Sequence, residues 1–309
     1  MLTAVDEFAI IRRYFTRDAD QDGVIVGIGD DGAILEPTPG LHEVQVIDTL
    51  VEGVHFPSNM DARDVGYRVV AVNLSDIAAM GAAPRWMTLA LTLWDKNESW
   101  VEDFAAGLFE AASEHDVALV GGDTTQGNEV VASIHVTGEV EPGKALLRSG
   151  ARLGDTVYVS GSTGDAAAGL SLFEQQREHD YLLRRFLRPT ARIGLGRRLA
   201  GRATAAIVVS DGLVGDLRKL LDASDVGADI DVGKVPLSAA LVATFGDRAL
   251  DFALTGGDDY ELCFTADPAA VAGIDGITAI GTITAGNELV CRQDGSVVDV
   301  DDRGYRHFA

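Results

Sequence analysis

GIGDDGAIL, residues 27–35, is the stretch on which the fold class turns. Taken literally, Gly27, Gly29 and Gly32 spell the dinucleotide fingerprint G-x-G-x-x-G. In that fold the glycine loop opens a helix whose N-terminal amides hold a pyrophosphate. Here Pro37 and Pro39 follow at once and argue against a long helix. Asp30 and Asp31 fill the variable positions and would repel a bare pyrophosphate. Two readings remain open at this point. Either the glycines permit a tight turn and the two aspartates hold Mg²⁺, or the loop is a solvated acidic turn.

Working outward, more carboxylates follow short apolar runs. Asp48 comes after Val44–Ile47, Asp123 after Val117–Val120, and Asp211 after Ala205–Val209. Asp258, Asp259 and Glu261 lie in TGGDDYELCF (255–264). Asp76 lies in AVNLSDIAAMGAAPR (71–85), which reads as helix. Helical spacing puts it on one face with Val69, Val72, Asn73 and Met80. A carboxylate on such a stripe is costly unless it is paired or binds a cation. Oxygen ligands at several loop tips suit Mg²⁺, which commonly binds one or two carboxylates plus substrate phosphates. These scattered acids are therefore expected to converge around cations. No Walker A pattern and no G-x-S-x-G elbow is present.

The periodicity alternates between strand and helix. Strands are expected at Val24–Val26, Val44–Ile47, Met87–Leu93, Val117–Val120 and Val131–Thr137. Helices are expected over 63–81 and 99–115, the second opened by a Ser99/Glu102 capping box. After a Gly-rich, basic break near 141–154, strands resume at Thr156–Ser160 and a helix follows around 166–177. Ala205–Val209 reads as a strand ending at Ser210, a candidate cap for a helix through Leu221. Phe252–Leu254, Leu262–Thr265 and Ile277–Thr284 read as further strands. The pattern predicts an α/β (α+β) chain of two domains, 1–150 and 151–309.

Composition excludes several classes. At 309 residues the chain is long enough for two domains. Only Cys263 and Cys291 occur, so no disulfide scaffold or multi-cysteine zinc site is possible. The scarcity of cysteine fits a reducing, cytoplasmic setting. No apolar run approaches the ~18–20 residues of a membrane span, and the N-terminal residues do not read as a signal peptide. A net charge of −23 disfavours nucleic acid and anionic lipid.

Taken in order, these motifs resemble the thiamine-monophosphate kinases, relatives of aminoimidazole ribonucleotide synthetase and selenophosphate synthetase. The resemblance covers GIGDDGAIL (27–35), DTLVEGVHF (48–56), NLSDIAAMGA (73–82), GGDTT (121–125), LLRSGARLGD (146–155), TGDAAAGL (163–170), SDGL (210–213), GGDDYEL (256–262) and GYRHF (304–308). It implies the two-domain aminoimidazole ribonucleotide synthetase-like fold, each half a mixed sheet flanked by helices. The N-terminal domain would bind ATP and Mg²⁺ and dimerise, and the C-terminal one would complete the site. It implies ATP-dependent phosphorylation of thiamine monophosphate to thiamine diphosphate, with several Mg²⁺ ions, direct γ-phosphoryl transfer and a homodimer. Carried over residue by residue, Asp30, Asp48, Asp76, Asp123 and Asp211 match metal-binding positions, with Asp31 beside Asp30. Gly122, Asp123, Arg148 and Ser210 match the ATP site, and Asp76, Asp123 and Arg148 carry the catalytic charge. His55 and Tyr305 match thiamine-contacting positions, with either Asp258 or Glu261 as an acid beside them.

The chain also departs from the family pattern. Val46 and Ile47 stand where a hydroxyl residue usually precedes Asp48, and Val208 stands where an aspartate usually precedes Ser210. One metal site is weakened by these changes. Two alternatives to the kinase are a catalytically impaired homologue that binds nucleotide or thiamine phosphate, and a sister ATP-dependent synthase.

Overall fold

The computed structural model describes residues 7–17, 22–94, 98–300 and 304. The chain divides into two units: Met1–Ile77 with Ala83–Pro142, and Ala78–Ala82 with Gly143–Ala309. They part at Pro142, ahead of the expected residue 150 but inside the Gly-rich break.

In the first unit, α1 (Glu7–Ile10) is followed by β1 (Val24–Val26) and β2 (Ile34–Leu35), an antiparallel pair. A turn and a strand, not a helix, thus follow the GIGDDG loop. The dinucleotide reading fails because β2 forms where a Rossmann chain would begin its helix. The main sheet has the order β3-β6-β4-β5, from β3 (His42–Val51), β4 (Ala83–Leu93), β5 (Ala118–Gln126) and β6 (Val131–Val140). It is mixed, with β4 and β5 parallel and the other pairs antiparallel. Helix α2 (Ala62–Ala79) lies on this sheet, its Ile77 against Gly138. Helix α3 (Glu98–Ser113) packs on α2.

The α2–α3 contact is as close as two backbones allow. A Cβ on Gly66 would lie 2.0 Å from Phe104 O, and one on Gly107 would lie 1.8 Å from Arg63 O. Around this contact Val65, Val69, Phe104 and Leu108 are buried. Helix α3 begins at Glu98, so Ser99 sits inside it rather than at its cap.

The second unit is built on a seven-stranded sheet of order β13-β12-β9-β11-β7-β10-β8. Its elements run β7 (Thr156–Ser160), α4 (Asp165–Glu174), α5 (Asp180–Leu187), α6 (Ile193–Leu199), β8 (Ala205–Val209), α7 (Leu213–Ser224) and β9 (Gly227–Asp231). Then come α8 (Ala239–Phe245), α9 (Ala249–Thr255), β10 (Glu261–Ala266), β11 (Ile277–Thr284), β12 (Leu289–Gln293) and β13 (Ser296–Val298). Apart from the parallel β9–β12 pair, neighbours are antiparallel. All of β8 and β10 is buried: β8 (AAIVV) is an unbroken apolar run, while β10 (ELCFTA) takes Glu261 and Thr265 into the interior. Leu213, Leu217 and Leu220 of α7 join that core. Phe252–Leu254, expected as a strand, is the middle of α9; three apolar residues carry too little periodicity to choose.

Candidate active site

In the first unit Asp48 is fixed through its backbone. Strand β3 is an edge, and Asp48 N donates to Asn73 Oδ1 at 2.8 Å. Asn73 is fully buried and donates from Nδ2 to Val69 O at 2.9 Å, so its amide is spent on structure. Asp76 lies one turn beyond Asn73 on α2, half-buried, as the helical spacing predicts. The sheet register aligns Asp48, Ile134, Leu89 and Gly122 in one row. Gly122 has φ +157, and a Cβ there would lie 2.0 Å from Leu89 O. No other residue fits that approach.

Asp123 belongs to the next row, with Thr49, Ser133 and Ala90. It shares the parity of Thr125, whose hydroxyl meets Thr92 Oγ1 at 3.0 Å on the exposed side of the sheet. Asp48 has the opposite parity. Asp30 and Asp31 are exposed in the loop after β1, where Asp31 N donates to Asp30 Oδ1 at 2.9 Å. Among the described residues no group of three or more His, Cys, Asp or Glu side chains is placed to hold a metal ion. Within the first unit, then, side chains alone do not gather these acids into such a group. The donor set still fits Mg²⁺, because hard oxygens with solvent access leave room for waters and phosphate oxygens. His55 follows β3 in a turn closed by Gly53 N to Phe56 O at 2.8 Å. Its Nδ1 accepts from Val51 N at 3.0 Å.

In the second unit the structure gathers motifs far apart in sequence. Asp258 N donates to Ser210 O at 2.8 Å, and Tyr260 N to Val209 O at 2.9 Å. This joins the GGDDYEL segment to the SDGL turn. Gly304 lies beside the same turn, since a Cβ on it would be 3.1 Å from Asp211 O. Tyr305 itself lies outside the described residues. Arg148 is exposed, and its carbonyl accepts from Ser224 Oγ at 2.9 Å.

Ser210 is not the cap of α7; Gly212 holds that position without a side-chain cap. Asp216, inside the first turn, reaches back instead. Its Oδ2 accepts from Ser210 N at 2.8 Å and Asp211 N at 2.9 Å. Lys219 Nζ then bridges Asp211 Oδ2 at 2.5 Å and Asp216 Oδ1 at 2.8 Å. Burial pushes the Asp216 carboxyl above its ordinary value, with Lys219 opposing. For Lys219, burial pulls the ammonium down, but the hydrogen bonds it donates to both aspartates outweigh this and hold it charged. Asp211, expected as a metal ligand, is thus already paired with a cation.

Glu261 is also already engaged. Its carboxylate has 0 % exposure. Oε1 accepts from Arg185 Nη2 at 3.1 Å and from Arg192 Nη2; Oε2 accepts from Arg192 Nε at 2.7 Å and Ser160 Oγ at 2.5 Å. A thiamine contact there would have to displace an arginine. Asp258 is half-buried, has φ +71, and accepts from Tyr260 Oη at 3.3 Å. Asp259 points inward and accepts from Gly164 N and Ala166 N, at the start of α4. Burial raises its carboxyl to about 7, against the pull of Arg185 and the two amides. Asp216, Lys219, Arg185 and Arg192 were not singled out in the sequence. Only the Asp216–Lys219 pair, at i,i+3 spacing, left a local signal.

Comparison with known proteins fits this geometry. The AIR synthase related protein N-terminal domain matches residues 29–140, and the AIR synthase related protein C-terminal domain matches 152–293. The chain is 44% identical to the thiamine-monophosphate kinase of Escherichia coli K12, over 99% of both chains. It is 34% identical to that of Bacillus subtilis, over 98% of this chain and 100% of the other. Among solved structures, the thiamine-monophosphate kinase of Stenotrophomonas maltophilia superposes with TM-score 0.85 at 44% identity, covering 95% of this chain and 98% of the other. A structure described as AaThiL complexed with AMPPCP and TMP gives 0.82 at 36%, covering 91% and 92%. By sequence end to end and by fold, the chain belongs to the thiamine-monophosphate kinase family.

Proposed function

We propose that this chain transfers the γ-phosphoryl group of ATP to the phosphate of thiamine monophosphate, giving thiamine diphosphate and ADP. The observation that carries the reading is the full-length match to thiamine-monophosphate kinases at 44% identity. The joining of SDGL, GGDDYEL and Gly304 in the second unit supports it.

Phosphoryl transfer asks a protein for positioning and charge neutralisation more than for covalent chemistry. Asp30, Asp31, Asp48, Asp76 and Asp123 are the residues that would hold Mg²⁺. Bound there, the ion would neutralise phosphate oxygens and let two anions approach an acidic surface. Gly122 offers backbone without a side chain in the way, and Ser210 and Arg148 offer polar and cationic contacts to ATP. A guanidinium suits a bidentate phosphate contact. His55, Asp258 and Tyr305 are assigned to thiamine monophosphate. Glu261 is left out of that set because its oxygens are saturated. No general base is required, since the acceptor is an ionised phosphate oxygen.

The chain is proposed to act in the cytoplasm as a homodimer. No helix among the described residues is long and apolar enough to cross a membrane. One face of the first sheet exposes Gln45, Ile47, Thr49, Ala90 and Thr125, with Ile47 at 64% exposure. The test is purified protein with ATP, Mg²⁺ and thiamine monophosphate, followed by chromatography. Thiamine diphosphate formation is expected; folded protein that binds both ligands without product would favour the impaired-homologue reading.

A further inference from the structure

The turn between β8 and α7 carries a cation of its own. Lys219 Nζ sits 2.5 Å from Asp211 Oδ2 and 2.8 Å from Asp216 Oδ1. The Asp216 carboxylate is 1% exposed, and its other oxygen is held by the amides of Ser210 and Asp211. The ammonium is therefore anchored on a fixed group rather than on a free surface acid. Two residues before Ser210, the strand offers Val208, a buried side chain with no oxygen. A divalent ion arriving at Asp211 would meet an Asp216 carboxylate already taken up by Lys219 and two amides, no acid from position 208, and a positive charge already in contact with Asp211. Cations at such separations repel strongly wherever solvent screening is incomplete.

We propose that Lys219 stands in for a metal ion at Asp211: its ammonium is the resident cation of the Ser210–Gly212 turn, and Asp211 ligates no Mg²⁺ of its own. The inference rests on the reading that the first unit's acids bind Mg²⁺. It changes the ion count expected from the family pattern, in which position 208 is acidic. It also makes the positive charge at this turn permanent rather than dependent on Mg²⁺ concentration.

Mn²⁺, used as the probe for Mg²⁺, is titrated into the full chain without nucleotide, and bound ions are counted by electron paramagnetic resonance. Wild type and Asp211→Asn are expected to bind the same number of ions. Lys219→Met keeps the stem and removes the charge. It is expected to gain a Mn²⁺ site, or to tighten binding on the order of tenfold, and adding Asp211→Asn should abolish that gain. Loss of an ion in Asp211→Asn alone overturns the proposal, as does a folded Lys219→Met that binds Mn²⁺ like wild type. If Lys219→Met does not fold, the Asp211→Asn comparison decides alone. The count needs no turnover. A chain that binds ions as stated and makes no thiamine diphosphate overturns the kinase reading while sustaining this one.

Discussion

Asp30, Asp31 and Asp123 of the first unit stand exposed in a loop and on a sheet, while Asp165, Asp259 and Glu261 of the second are sealed at 0% exposure. Both sets are carboxylates in glycine-rich motifs. Glu261 is matched by Arg185, Arg192 and Ser160, Asp259 by backbone amides, and Asp165 by the hydroxyls of Ser162, Tyr181 and Ser238, which consume the acceptor capacity of the buried set. The exposed set keeps oxygens that a hydrated ion can reach. Desolvation separates the two roles: a sealed carboxylate must be satisfied by the protein, and an open one is at liberty to serve a ligand.

The largest break in this contrast is expected at Glu261. Glu261→Ala strands two arginines against a buried void, and removing one partner of a buried ion pair costs about 3–5 kcal/mol. Urea unfolding should show the loss, and an unchanged midpoint would mean that the network is not structural. Asp76→Asn and Asp123→Asn are expected to do the reverse. Turnover should fall by about 10²–10³-fold, the scale of one lost electrostatic contact in a transition state, while the unfolding midpoint stays put.

Arg148→Ala is exposed enough to leave folding alone and is expected to raise KM for ATP by about tenfold, as loss of a charge-assisted phosphate contact would. Steady-state kinetics at varied ATP would show it. Asp259 sharpens the comparison through pH. Its carboxyl is raised from 3.8 to about 7 in the folded chain, so the folded state holds a proton that the unfolded state releases. The resulting stabilisation is complete below 3.8 and is lost as pH rises through about 7. Urea midpoints between pH 5 and 8 should fall with pH on this account, and Asp259→Asn should flatten that slope. The smallest effect is expected at the exposed Arg13–Glu98 pair, where Glu98→Gln should cost under about 1 kcal/mol.

The alternation of α2, α3 and most strands was legible because burial on one face leaves a period in the sequence. The residues that decide which acids are free were not. Glu261 is paired with arginines 69 and 76 residues away, and no local spacing announces such a meeting. Ser210 misses its expected capping role because α7 starts only after Gly212, and the Asp216 carboxylate takes the Ser210 and Asp211 amides instead. That Glu261 is sealed while Asp258 is half-buried could be seen only from the fold, since neighbouring residues in an irregular loop do not follow strand parity.

The glycine contact between α2 and α3 has a dynamic consequence. With Phe104 O against Gly66 and Arg63 O against Gly107, neither helix can rotate or slide without driving main chain into main chain. The Asn73 amide therefore meets Asp48 N in a fixed register, and Asp76 is carried at a set height one turn along. Such an arrangement is preorganised: the cost of orienting these groups is met during folding.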